Sequence, residues 1–333
     1  KMNKRANDIS LCEKIFSHFR YWRDFTVMLF YLKKTFKNSG HVLSRAFKND
    51  FPIDAILRNG KKVKIRTFNA IYFISQAQKI QNIDFDFNND IVTIQPDEKT
   101  NQKIIFYGGL DNGDLANIFL KKDYDTFKIK DNTVVDIGAN IGDTAIFFAC
   151  NGAKRIIGVE PFHKNFEIAE KNINANKLTD TIQLIKAGCG SKTGSVKIDP
   201  DYNSSIESVL NDFNEGEDVP IVTLQDIIEK YSIPMNSVLK IDCEGCEYDI
   251  IENTPSDIIS HFNHIQIEYH AGYRNLKRKL ESIGYNVTTT EPHATDVVNS
   301  FFSKFRQTDS NSVKGKFGHK IGYTGFIFAT KNN

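Results

Sequence analysis

The chain has 333 residues, 40% hydrophobic and 25% charged, with a formal net charge of +2. That is ordinary globular composition, which excludes a disordered chain or a fibrous repeat, and the length suits two domains or one large domain with an extension. The longest largely apolar run, Phe25–Leu32, falls far short of the roughly 20 residues that a membrane-spanning helix needs.

Residues 1–50 hold 11 Lys/Arg against 4 Asp/Glu, a net +7, and the remainder carries −5. No basic stretch followed by an apolar core and a small-residue cleavage site opens the sequence, so no secretory signal is expected. The start at Lys1 instead of Met leaves room for missing leading residues. Residues 9–48 read as two helices, with a stop and a new start at Asn38-Ser39-Gly40. Their aromatic residues (Phe16, Phe19, Tyr21, Trp22, Phe25, Phe30, Tyr31, Phe36) are expected to pack on the chain itself or on a second copy, with a membrane or polyanion surface as the alternative. From Phe51 the period becomes two. Ile53, Ala55 and Leu57 alternate, Asn59-Gly60 suits a type I′ hairpin turn, and Val63 and Ile65 resume. Ile91–Ile94 and Lys103–Tyr107 read as further strands, and Gly108–Asp125 as a linker with one short helix.

From Asn132 strands and helices alternate. Strands are expected at Val134–Val135, Arg155–Glu160, Thr181–Ala187, Ser237–Asp242, His264–His270, Tyr285–Thr290 and Thr324–Thr330, with Ser195–Ile198 as a hairpin arm. Helices are expected at Asp143–Cys150, His163–Asn176, Thr223–Tyr231, Tyr248–His261 and Tyr273–Ile283, and residues 291–320 as a loop. Such alternation predicts a mostly parallel sheet covered on both faces. The expected organisation is a helical segment (1–50), a small β-rich unit with linker (51–125) and a Rossmann-like domain (126–333).

The informative line is Val135-Asp136-Ile-Gly138-Ala-Asn140-Ile-Gly142-Asp143-Thr144. A strand runs into a glycine-rich turn that opens a helix, so backbone N–H groups face a ligand at a positive helix end. Glu160 closes the next strand, 22 residues after Gly138, where a Rossmann-like fold places the carboxylate that accepts ribose hydroxyls. A dinucleotide frame would need glycine at 140 and 143, but these are Asn140 and Asp143, so a nicotinamide oxidoreductase is disfavoured. Carboxylates at Asp136 and Asp143 repel pyrophosphate and suit a cationic ligand with a ribose and an amino acid end. S-adenosylmethionine is one, and the frame is that of class I methyltransferases.

Together with Val159-Glu160-Pro161-Phe162, Asn165, Val222–Asp226 and Leu239-Lys-Ile-Asp242-Cys-Glu244-Gly-Cys-Glu247, this line resembles the FkbM family of methyltransferases over about residues 105–290. The resemblance implies a seven-stranded Rossmann-like sheet and O-methylation of a hydroxyl on a sugar, a glycan or lipid headgroup, or another small molecule. In the implied strand order the first and fourth strands are neighbours, and the cofactor crevice opens at their carboxyl ends. Glu160 would then take the ribose, Phe162 would pack on the adenine, and Ala187 and Gly188 would edge it. Asp136, Asn140, Asp143 and Thr144 would surround the amino acid end, with Gly138, Gly142, Pro161 and Asp242 completing the cofactor site. For catalysis the expected group is His270, Asp242, Glu244 and Glu268. His270 would act as base because its ordinary pKa lies near neutrality, held by Glu268. Asp242, Glu244 and Glu268 have the chemistry to hold Mg²⁺, but salt bridges or caps are the expected role and no metal is assigned.

The five cysteines, Cys12, Cys150, Cys189, Cys243 and Cys246, form an odd set in which only Cys243 and Cys246 are close. They are expected to pack as apolar side chains in a reducing, cytoplasmic setting, with redox or metal chemistry as the lesser reading. The acidic catalytic part argues against a nucleic-acid acceptor. A homo-oligomer through the N-terminal helices is a possible assembly. A catalytically silent cofactor-binding chain that serves as an interaction module is the alternative function.

Overall fold

Ser10 starts the first helix with a reciprocal cap: its hydroxyl accepts the Glu13 N–H while the Glu13 carboxylate accepts the Ser10 N–H. In the computed structural model, which describes residues 8–77, 82–96, 103–125, 129–198, 216–295, 297 and 322–331, α1 spans Leu11–Thr35 and α2 spans Ser39–Phe47. The break falls at 36–38, and Gly40 lies inside α2. The cause is tertiary. Lys37 N–H bonds Ile56 O, Arg58 N–H bonds Thr35 O, and the Asn38 side-chain amide pairs with Asp54 O and Ile56 N–H. The segment is thereby laid along a hairpin edge, and Phe36 is fully buried.

That hairpin is β1 (Ile53–Ile56) with β2 (Lys62–Ile65), antiparallel, with alternate residues buried. Its connection differs from the expected two-residue turn. Ile56 pairs with Lys62, so five residues intervene, and Gly60 is left-handed while Asn59 is not. Helix α3 (Phe68–Ala77) follows, and then β3 (Ile83–Asp86), β4 (Ile91–Ile94) and β5 (Ile104–Tyr107) form a second antiparallel sheet. Neither α3 nor β3 was expected. The presumed linker folds as α4 (Gly109–Asn112) and a π-helical turn at Ala116–Leu120.

The remaining elements alternate as the sequence pattern requires. They are β6 (Thr133–Ile137), α5 (Asp143–Cys150), β7 (Arg155–Val159), α6 (His163–Ala175), β8 (Ile182–Ile185), β9 (Gly188–Cys189), β10 (Gly194–Ile198), β11 (Glu217–Val222), α7 (Leu224–Tyr231) and β12 (Ser237–Ile241). Then come α8 (Cys246–Asn253), α9 (Ser256–Ile259), β13 (Phe262–Tyr269), α10 (Arg274–Ser282), β14 (Tyr285–Thr289), β15 (His293–Ala294) and β16 (Tyr323–Lys331). Pro255 splits the helix expected over 248–261, since its ring cannot continue the preceding turn. Most of the loop expected at 291–320 lies outside the described residues.

The main sheet runs β14-β16-β13-β12-β6-β7-β8. β6, β7, β8, β12 and β13 are parallel, and β16 inserts antiparallel between β13 and β14. This is the Rossmann-like architecture. Alternate strand residues feed two cores. Val134 and Ile156 join α5 and α6 on one face, while Val135, Ile137, Ile157 and Val159 join α7, α8 and α10 on the other. The first core continues without interruption into Phe36, Ile53, Ile65, Phe73 and Phe106 of the N-terminal elements. A smaller sheet of β10, β11 and β9 flanks the fold, with β10 and β11 antiparallel.

Helix α1 buries only part of its surface. Met28 and Leu32 are inside, but Phe16, Phe19, Trp22 and Phe30 are exposed. Of the expected packing on the chain itself or on a second copy, the chain supplies part: the helix has two apolar faces, and the domain covers one of them.

Candidate functional site

β6 and β12 lie side by side, with Val135 opposite Leu239 and Ile137 opposite Ile241. The order of the parallel strands reverses between them, so a crevice opens at their carboxyl ends. Gly138 follows β6 with φ +81°, and a methyl group placed on its Cα would stand 1.8 Å from the Asp242 carbonyl oxygen. Only glycine lets the two strand ends cross this closely. Asn140 also adopts a left-handed backbone, and Gly142 precedes α5.

Beneath this crossing lies a buried cation. Lys240 is 1% exposed, and its ammonium reaches Asp136 Oδ1 at 2.9 Å and the Gly138 carbonyl at 2.7 Å. Burial pulls its pKa down, but Asp136 and Asp242 outweigh that and hold it above the usual lysine value. Asp136 is fully buried and also accepts the Thr144 hydroxyl at 2.6 Å. Asp136 and Thr144 thus brace the turn from below. Removing one member of a buried ion pair leaves the other charge uncompensated, so Lys240→Met is expected to cost about 3–5 kcal/mol. Denaturant unfolding checks this, and an unchanged midpoint would show that the pair does not anchor the turn.

On the β7 side, Glu160 accepts the N–H groups of Asn140 (2.9 Å) and Phe162 (3.0 Å). Burial raises its pKa to about 8 against the effect of these two bonds. A cleft here is lined by Gly138, Glu160, Pro161, Ala187 and Gly188, together with Cys243 and Cys246. Five residues expected at the cofactor are therefore brought together. Phe162 instead packs with Ile198 and Val219 as a small buried cluster.

The crevice itself is acidic. Asn140 Nδ2 bonds Asp114 Oδ2 at 2.9 Å, and the Tyr124 hydroxyl donates to Asp242 Oδ2 at 3.2 Å. Asp114 and Tyr124 come from the segment read as a linker. Burial and the carboxylates of Asp143, Asp242, Glu268 and Glu244 push the Asp114 pKa well up, and burial with Asp242 does the same to Glu268. Asp143 is raised to about 7, chiefly by burial, and its Oδ2 has no hydrogen-bond partner.

His270 closes the group from the end of β13. Its Nε2 lies 3.3 Å from Glu244 Oε2 and 3.8 Å from Asp242 Oδ1, and its Nδ1 lies 3.1 Å from Glu247 Oε1. The carboxylate that holds the ring is therefore Glu247, not Glu268, and the buried Glu247 is itself fixed by the Gly245 N–H at 2.7 Å. Burial alone would lower the histidine pKa. Glu244 and Glu247 overcome it, so His270 titrates well above its ordinary value. Ligand atoms of Asp242, Glu244 and His270 lie within 4.8 Å of one another, a spacing that also suits a divalent cation. Cys243 and Cys246 are joined as a disulfide across this turn, which corrects the expectation that they merely pack. Cys12, Cys150 and Cys189 are free.

Residues 136–297 match the family model described as the methyltransferase FkbM domain. The chain carries an FkbM methyltransferase domain. A curated relative of this chain is the hexuronic acid methyltransferase AglP of Haloferax volcanii, 22% identical over 143 residues, which make up 43% of the chain and 58% of that protein. The chain thus spans little more than half of that relative's length. Among solved structures, the methyltransferase FkbM from Methylobacillus flagellatus aligns with a TM-score of 0.40 at 14% identity, covering 62% of this chain and 45% of that one. TrmK of M. capricolum, solved with S-adenosylhomocysteine, aligns with a TM-score of 0.36 at 15% identity, covering 62% and 65% of the two chains. The FkbM match begins inside β6 and ends after β15, so Asp114, Tyr124 and α1 stand outside it. No helix among the described residues is long and apolar enough to cross a membrane.

Proposed function

We propose that the chain is an S-adenosylmethionine-dependent methyltransferase that methylates a hydroxyl of a sugar, glycan or lipid headgroup. The observation that carries this reading is the charge imbalance of the crevice. Asp114, Asp143, Asp242, Glu244 and Glu268 interact around two basic side chains, Lys240 and His270, and three of these carboxyls have raised pKa values. Such a site lacks positive charge and fits a ligand that brings a sulfonium and an ammonium. The unpartnered Asp143 Oδ2 is a ready acceptor for the latter. Glu160 would accept the ribose hydroxyls, Gly138 would admit the ligand close to the backbone, and Ala187, Gly188 and Pro161 would border the adenine. When bound, the cofactor supplies an electrophilic methyl group.

The chain's own task is then to position the acceptor and take its proton. Glu244 and Glu247 hold the His270 pKa well above the ordinary histidine value, which makes the ring less ready to take up a further proton, so the proton acceptor we assign is Asp242. The Tyr124 hydroxyl donates to one of its oxygens, and the His270 ring lies 3.8 Å from the other. Glu244 and Glu247 hold His270, and Glu268 adds to the negative field. The name of the curated relative, a hexuronic acid methyltransferase, supports a sugar hydroxyl as acceptor.

The decisive experiment is titration with S-adenosylhomocysteine by calorimetry and thermal shift, followed by incubation of the protein with labelled methyl donor and a cell extract. Micromolar-class binding and a labelled acceptor are expected, with no response to NADH. Binding without any label transfer would favour the silent interaction module instead. The pH dependence has a defined sign. Between about pH 4.3, the ordinary value for Glu, and about 8, folded Glu160 holds a proton that the unfolded chain has lost. The cofactor-free protein should therefore lose stability as pH rises across that window. Affinity for the cofactor product should rise across pH 6 to 8, because Glu160 and Asp143 accept the ligand's hydrogen bonds best when ionised. A flat profile would remove Glu160 from the ribose role.

A further inference from the structure

Nine large apolar residues are exposed among the described residues, and seven of them lie on α1: Leu11, Ile15, Phe16, Phe19, Trp22, Val27 and Phe30. Single exposed apolar side chains are ordinary, but a contiguous set is not. Steps of four, four, three and eight residues place Leu11, Ile15, Phe19, Trp22 and Phe30 along one stripe, about 28 Å long at 1.5 Å per residue. The opposite face of the helix is fixed to the catalytic part. Glu13 accepts from the Tyr273 hydroxyl at 2.7 Å and pairs with Arg274 at 2.6 Å. Arg20 donates to Pro292 O, and Asp24 lies 3.1 Å from His293. The stripe is thus held outward on a helix that cannot easily rotate to hide it.

We infer that α1 docks this chain on the surface of an anionic lipid bilayer, with its apolar stripe in the headgroup–acyl boundary. Two observations select this occupant over a second copy. Helix α1 holds five Lys/Arg against two Asp/Glu, a net +3, so pairing two α1 helices would bring like charge to like charge, whereas an anionic surface complements it. Exposed Arg23, Lys33 and Lys34 lie on the helix beside the stripe, and Lys34 arches over the Phe30 ring at 4.4 Å. Four of the seven exposed side chains are Phe or Trp, the composition of helices that lie in a bilayer interface. Tyr273 and Arg274, the anchors of Glu13, follow His270 by three and four residues. A docked chain therefore holds one rim of the crevice at the headgroup layer, where a lipid-linked sugar would be met. That last consequence rests on the methyltransferase reading; the docking does not.

Trp22 is the chain's one tryptophan and sits in the stripe, so it reports directly. The full chain is mixed with phosphatidylcholine vesicles with or without 30% phosphatidylglycerol, at low and high salt. With anionic vesicles at low salt we expect a blue shift of Trp22 emission, protection from acrylamide and co-sedimentation. High salt or pure phosphatidylcholine should weaken sedimentation at least tenfold. Phe16→Ser with Phe19→Ser should do the same while leaving cofactor-product binding and the melting temperature unchanged, because both side chains already face solvent. The proposal is overturned if anionic vesicles leave Trp22 unshifted. It is equally overturned if, without lipid, the chain is a micromolar dimer in which Trp22 is already shielded, or if an acidic protein shields Trp22 and vesicles do not.

Discussion

Gly138→Ala is expected to abolish binding of the cofactor product and to lower the melting temperature by about 10 °C. The added methyl would fall 1.8 Å from the Asp242 carbonyl oxygen, which is backbone and cannot rotate away. Either β6 or β12 must then retreat at the point where Lys240 ties them, since its ammonium bonds Asp136 from one strand and the Gly138 carbonyl beyond it. The left-handed backbone at 138 adds about 1–2 kcal/mol for any residue with a Cβ. Gly142→Ala separates the two causes. Its φ is also +81°, but the nearest atoms to its new Cβ belong to Ala169 at 3.4 Å, an ordinary contact. It should pay only the backbone penalty and still bind. Equal losses in the two variants would show that strain, not the crossing with Asp242, sets the requirement for glycine.

Asp242→Asn is expected to lower methyl transfer by about 10²–10⁴, the usual contribution of a general base, with affinity for the cofactor product changed only a few-fold. The amide keeps the shape and the reach to Tyr124 but cannot take a proton. His270→Gln should cost less. It removes the ring 3.8 Å from Asp242 but leaves the carboxylate that takes the proton. Label incorporation into the acceptor fraction of a cell extract measures both. If His270→Gln abolished transfer while Asp242→Asn kept most of it, the base would be the histidine. If a chelator removed activity and Mg²⁺ restored it, the group formed by Asp242, Glu244 and His270 would be a metal site instead.

The parallel sheet was legible because strands such as β6 and β12 are short apolar runs bounded by Asn, Gly or Asp, and one helix opens with a recognisable cap, Thr223 with Asp226. Gly138 and Glu160 were legible because their spacing follows from local strand–turn–helix geometry. What the sequence hid is long-range. Asp114 and Tyr124 reach Asn140 and Asp242 across 26 and 118 residues, and nothing local distinguishes them from linker residues. Glu247 was passed over for Glu268 because residues two apart on a strand share a face. The winning contact instead comes from the first turn of α8, brought in by the left-handed Glu244-Gly245 turn. The raised pKa of His270 depends on how many carboxylates converge on it, which only the folded chain decides. The type I′ turn at Asn59-Gly60 failed because strand register, not the dipeptide, fixed the loop length.

The apolar layer under α5 and α6 has a consequence for how this chain can be inherited or cut. Phe148, Ile146 and Val134 share one core with Phe36, Phe73 and Phe106, so the sheet's underside is finished by residues far upstream of the family match. A fragment starting near residue 126 would begin with a bare hydrophobic floor, and it would have shed the Asp114 and Tyr124 side chains that reach the crevice. The segment recognisable as a methyltransferase is therefore smaller than the segment able to fold as one. Recombination or grafting at the family boundary would transplant a signature without its foundation.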